Sequence, residues 1–143
     1  MNNLVKLILE IDPKSKYQPL RKTIIKYCYE NPTKISLRKV AQACDVAPPS
    51  LYYYWPSKAK IMDMVFNYMF VQIINNDGMS NDEIKQSMFE YCSKHITLFI
   101  FLYFNCETKT SIAKATLNQY KDDLFIDEIS KLLLMYKETH KTS

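Results

Sequence analysis

The chemically richest stretch of the chain is Pro48-Pro49-Ser50-Leu51-Tyr52-Tyr53-Tyr54-Trp55, followed closely by Lys58. Phenol hydroxyls donate hydrogen bonds to phosphate oxygens while their rings pack on sugars, and a lysine supplies the opposite charge. The set therefore suits a polyanion. The competing reading is an aromatic core. Four consecutive aromatics cannot all face one core from a helix, so some of them stand at a contact surface.

Other constellations lead away from catalysis. Gly78 is the only glycine, which leaves no Gly-rich loop to cradle a phosphate. His95 and His140 have no HExxH or paired-carboxylate spacing. Asp122-Asp123 and Asp127-Glu128 read as a solvated acidic helix face before a metal site. Cys28, Cys44, Cys92 and Cys106 form no CxxC pair, and Cys106 has no evident base. These thiols read as small apolar core residues of a reducing cytosol. The expectation is a protein that is not an enzyme and uses no cofactor or metal.

One glycine in 143 residues also argues for long helices, because strand-rich folds need many turns. Hydrophobic residues make up 48% of the chain, enough for a buried core. Residues 1–75 hold 11 Lys and Arg against 5 Asp and Glu, whereas residues 76–143 hold 8 against 10. A basic front half on a near-neutral back half fits a front half that meets a polyanion, although ordinary solvated lysines produce the same tilt. The apolar run of residues 96–104 has about half the length needed to span a bilayer, and residues 1–11 do not resemble a signal peptide. A cytoplasmic protein with no membrane partner is expected.

The elements follow from periodicity and punctuation. Residues 1–12 form a short helix or arm. Pro19 sits in the first turn of a helix whose inner stripe is Leu20, Ile24, Tyr27 and Cys28, stopped by Asn31-Pro32. Ser36 caps a short helix that buries Val40 and Ala41 and turns Arg38 and Lys39 outward. Asp45 marks the turn. Pro48-Pro49 open a third helix reaching to about Trp55 with Leu51 inward, and Pro56 breaks it. Ser57 caps a fourth helix, Lys58 to about Asn75, with a stripe of Ile61, Met62, Val65, Phe66, Met69 and Ile73. Ser80 and Glu83 make a capping box for a fifth helix burying Ile84, Met88 and Tyr91. A nearly all-apolar helix over 96–105 should be central, and a last helix runs from about Ser111 to Glu138. A short helix, a tight turn and a second short helix present the latter as a rod that fits the major groove.

The run from Ser36 to Lys58 resembles, without gaps, the DNA-binding signature of the TetR family of transcriptional regulators. Val40-Ala41 match the core of the family's second helix. Val46 and Leu51 match its packing residues, and Tyr52, Tyr54, Trp55 and Lys58 match its closing motif, with Trp where Phe is usual. The resemblance implies an all-α fold: an N-terminal three-helix helix-turn-helix domain (residues 1–56, with an N-terminal extension) joined by a long fourth helix to a short helical C-terminal domain (residues 57–143). It implies a repressor that binds double-stranded DNA at a palindromic operator as a homodimer. In that family the third helix enters the major groove, so Ala47, Pro48, Pro49, Ser50 and Tyr53 should touch bases. Tyr52, Tyr54 and Lys58 match phosphate-gripping positions, and Ser36 and Arg38 add backbone contacts. Asp45 stands where the family has a turn glycine, and Ala47 where it has a capping Ser or Thr.

The family's rear domain dimerises and binds a small ligand. Here the seam would fall on residues 96–104 and the last helix. A small hydrophobic ligand would be lined by Phe66, Met69, Phe89, Phe99, Tyr103 and Tyr120, although each of them taken singly reads more readily as core. A small helical interaction module that reads no DNA is the rival function. The basic residues Arg38, Lys39 and Lys58 on one side argue against it.

Overall fold

The computed structural model describes residues 18–74 and 78–106, together with Ala115, Lys131 and Leu134. The expected N-terminal arm, most of the expected last helix, and Tyr120 lie outside these residues. The two described stretches are all-α, with six helices: α1 (Gln18–Glu30), α2 (Leu37–Ala43), α3 (Pro48–Tyr52), α4 (Lys58–Ile73), α5 (Asn81–Lys94) and α6 (Ile96–Asn105).

Side-chain caps start three of them. The Ser36 hydroxyl accepts from the Lys39 N–H at 3.1 Å, and the Ser57 hydroxyl accepts from the Lys60 N–H at 3.2 Å. Ser80 and Glu83 complete a reciprocal capping box at 3.2 and 3.3 Å. Each such cap contributes about 1 kcal/mol by satisfying an amide that the helix itself leaves open.

The turn between α2 and α3 is a Schellman closure. The Val46 N–H donates to the Ala41 carbonyl at 3.0 Å and the Asp45 N–H to the Gln42 carbonyl at 3.1 Å. The geometry requires a left-handed residue between them, and Asp45 takes it with φ 55°. Glycine adopts that conformation without a Cβ clash, so Asp45→Gly is expected to stabilise the fold by about 1 kcal/mol. A raised urea midpoint at unchanged slope checks this, and a lowered midpoint would contradict it.

α3 ends at Tyr52, earlier than the expected end near Trp55. The N–H groups of Tyr54 and Trp55 both donate to the Leu51 carbonyl, at 3.0 and 2.9 Å. Pro56 disfavours a helical Trp55, and the tightened chain sends the indole into the core. In α5 the expected inward Tyr91 is only half-buried and Cys92 takes the buried place. The Tyr91 hydroxyl keeps a polar partner, the hydroxyl of Tyr29 at 2.8 Å.

One apolar core runs from Ile24 in α1 to Cys106 after α6. α4 passes through it, packed against α1, α5 and α6. It therefore buries more than one stripe: Met64, Asn67 and Phe70 are inside as well as Ile61, Met62, Val65, Phe66, Met69 and Ile73. Phe66 meets Phe70 and Phe99 at ring-centroid distances of 5.3 and 5.9 Å. α6 is central as expected, with Leu98, Phe99, Ile100 and Leu102 buried. Among the described residues no helix is long and apolar enough to cross a membrane.

Candidate nucleic-acid interface

α3 is held from beneath and open above. Leu51 is fully buried and Trp55 nearly so, which pins the segment to the core at both ends of one turn. On the other side Ala47, Pro49 and Ser50 are exposed, Pro48 is half-buried, and Tyr52 and Tyr53 project outward at 42% and 81% exposure. The four aromatics thus divide across the end of α3: two out, Tyr54 between, and Trp55 in, turned inward by the tightened chain after Tyr52.

Tyr53 is exposed but braced. Its ring meets Tyr54 edge-on at 5.0 Å, and Tyr54 lies 6.0 Å from the buried Trp55. A chain of ring contacts carries rigidity from the core to the outermost phenol. A side chain ordered before binding loses less entropy on contact with a partner. Pro48 and Pro49 stiffen the leading edge in the same way, since neither has a free φ.

Beside this rod lies an open concavity of about 460 Å³, lined by Arg38, Gln42, Asp45, Val46, Ala47 and Pro48. It joins the outer face of α2 to the start of α3. Gln42 and Asp45 line it as well, although the sequence reading assigned Gln42 no role and Asp45 only the turn. The signal was present for Gln42, which follows Arg38 by four residues and so shares its helix face. Ser36 is half-buried and its hydroxyl accepts the Lys39 amide, so it acts first on the helix start.

Lys58 is half-buried in the first turn of α4. Its ammonium stands 5.3 Å from the centroid of the Phe101 ring of α6. A cation over an aromatic face gains about 0.5–1 kcal/mol near the surface and is held in place. No feature of the sequence indicated that partner.

Of the side chains expected to line a ligand pocket, Phe66, Met69 and Phe99 are fully buried in the core. Phe89 and Tyr103 are half-buried against it, with Tyr103 6.2 Å from Phe99. Neither the concavity beside α3 nor a second cleft between α1 and α4 is lined by any of them.

Burial pushes the Cys28 thiol up to about 12, with Cys44 adding to the effect, and burial alone does the same to Cys92. Burial also raises Cys44. None of these three offers a thiolate at neutral pH. Among the described residues no group of three or more His, Cys, Asp or Glu is placed to hold a metal ion.

A capped short helix, a left-handed turn and an outward-facing second helix, backed by α1 and α4, define a helix-turn-helix protein. Residues 31–65, which span α2, α3 and the first half of α4, match the family described as bacterial regulatory proteins, tetR family. That match covers the helix-turn-helix segment and supports a DNA-binding transcriptional regulator of that family. No curated protein and no solved structure gives a significant match.

Proposed function

We propose that the protein is a repressor that binds a palindromic operator as a homodimer, with residues 1–56 as the reading head and residues 57–143 as the dimerisation part. The observation that carries this reading is the posture of α3. Its inner residues are locked in the core while Tyr53, the most exposed of its aromatics, is braced on Tyr54. In this reading Ala47, Pro48, Pro49, Ser50 and Tyr53 meet base edges, with apolar contact to thymine methyls where the prolines and alanine offer no donor. Tyr52, Tyr54 and Lys58 grip phosphates, and Arg38 adds a charge from α2.

A two-fold operator demands a two-fold protein. Support for a seam in the rear half comes from Phe104 and Leu134, large apolar side chains that are 47% and 57% exposed. A small apolar ligand seated among Phe66, Met69, Phe89, Phe99, Tyr103 and Tyr120 would act by altering how α4 carries the head, because α4 packs against α1 of the head as well as against α5 and α6.

Selection of bound duplexes from a random pool tests the whole reading. Enrichment of an inverted repeat supports head and dimer together. Recovery of no preferred sequence would reject sequence-specific binding, and a single unrepeated site would reject the dimer. Lys58→Ala is expected to weaken binding to the selected duplex and to random DNA alike, and to lower the slope of log K against log salt by about one. An unchanged slope would remove Lys58 from the phosphate contacts.

A further inference from the structure

We propose that the cleft between α1 and α4 binds a small molecule that joins an anionic group to a flat apolar body. Arg21, Lys22, Ile25, Lys26 and Tyr29 of α1 line it together with Tyr68 of α4, around a volume of about 390 Å³. The five α1 positions share one helix face, so a single straight element presents all of them to the same space. The volume lies near the lower end of the range for ligand sites, which fits a body of one or two rings.

The lining has two chemistries. Three cationic side chains line the cleft, and none of the described residues that line it carries a carboxylate. Glu30 pairs with Lys26 at 4.0 Å, and both side chains of that pair are largely exposed to water, so the pair offsets little of the Lys26 charge. Ile25, Tyr29 and Tyr68 supply the apolar surface. Positive charge beside aromatic faces selects an aryl carboxylate, sulfonate or phosphate over a neutral aryl compound.

The aromatic side of the cleft is already ordered. Tyr68 meets Tyr29 edge-on at 5.8 Å, and the Arg21 guanidinium stands 5.9 Å from the Tyr68 centroid. The Tyr29 hydroxyl is engaged with that of Tyr91 at 2.8 Å, so its ring face is what it offers an occupant. Burial, with the Tyr91 hydrogen bond adding to it, raises the Tyr29 phenol far above its ordinary range. It stays neutral and sets no negative charge against the ligand. An occupant would bridge the first helix of the head to the helix that enters the rear core. This location is distinct from the rear residues considered above, and the site does not depend on DNA reading.

The test titrates the full chain, without DNA, with 1-naphthoate and with the neutral 1-naphthalenemethanol, read by calorimetry. The acid should bind saturably at one site per chain and roughly tenfold more tightly than the alcohol. Arg21→Gln should remove most of that preference, and Lys22→Gln, on the exposed rim, should reduce it severalfold. Tyr68→Leu should weaken both compounds. If Arg21→Gln lowers the melting temperature, Lys22→Gln carries the charge test alone. The proposal is overturned if the acid does not saturate, or if acid and alcohol bind equally. It is also overturned if binding survives both charge variants and is lost in Phe99→Leu, which would move the ligand to the rear core.

Discussion

Phe66→Ala is expected to cost the folded state roughly 3–5 kcal/mol, the range for emptying a buried aromatic site. Phe66 is fully buried at the middle of α4 and touches the rings of Phe70 and Phe99. The helices around it come from both halves of the chain, so the cavity cannot close by shifting one loop. It would have to close by moving α6 against α4, and those two helices share the most extensive packing in the described fold. A single domain is stable by only about 5–15 kcal/mol, so this one change removes a large share. Denaturant titration of both proteins measures it. Phe66→Leu, which keeps most of the volume, should lose far less. A cost below about 1 kcal/mol for the alanine variant would mean that α4 and α6 do not interlock through this ring.

Tyr53→Ala is expected to lower affinity for the selected duplex by about 10- to 100-fold, corresponding to about 1–3 kcal/mol for one good base contact. Affinity for random DNA should fall far less. The reasoning is that Tyr53 is 81% exposed, so its removal opens no cavity, and the fold should change by no more than about 0.5 kcal/mol. A loss in binding can then be assigned to the interface. Tyr53→Phe separates the hydroxyl from the ring: retained discrimination would assign the effect to ring packing. Equal losses on the selected and random duplexes would make Tyr53 a phosphate contact and remove its base-reading role.

The two variants probe opposite sides of one arrangement. Leu51 and Trp55 attach α3 to the same core that Phe66 fills, so the posture of the reading helix depends on packing in the rear half. Lys58 adds a direct link, because its ammonium rests over Phe101 of α6, which packs against that core. A change in how α6 seats against α4 would therefore reach a candidate phosphate contact through a single side chain.

Local chemistry was legible from the residues alone. Ser36, Ser57 and the Ser80–Glu83 box mark helix starts because a hydroxyl three residues ahead of an open amide finds it whatever the rest of the chain does. Asp45 marks the left-handed turn for an equally local reason. That residues 52–55 could not all face one core was legible too, and the 36–58 signature points to the family that residues 31–65 match.

Tertiary structure decided what depends on neighbours distant in the chain. A stripe of six apolar residues suggests that α4 lies against the core on one side. Only the helices around it show that Met64, Asn67 and Phe70 are covered too. The same holds for Lys58 over Phe101, for Tyr29 meeting Tyr91, and for the cationic cleft that α1 forms with Tyr68. Periodicity reports which side of a helix is apolar. It carries no information about how many partners close over that helix, or which side chains from 40 or more residues away will meet there, because those meetings are set by packing the whole core at once.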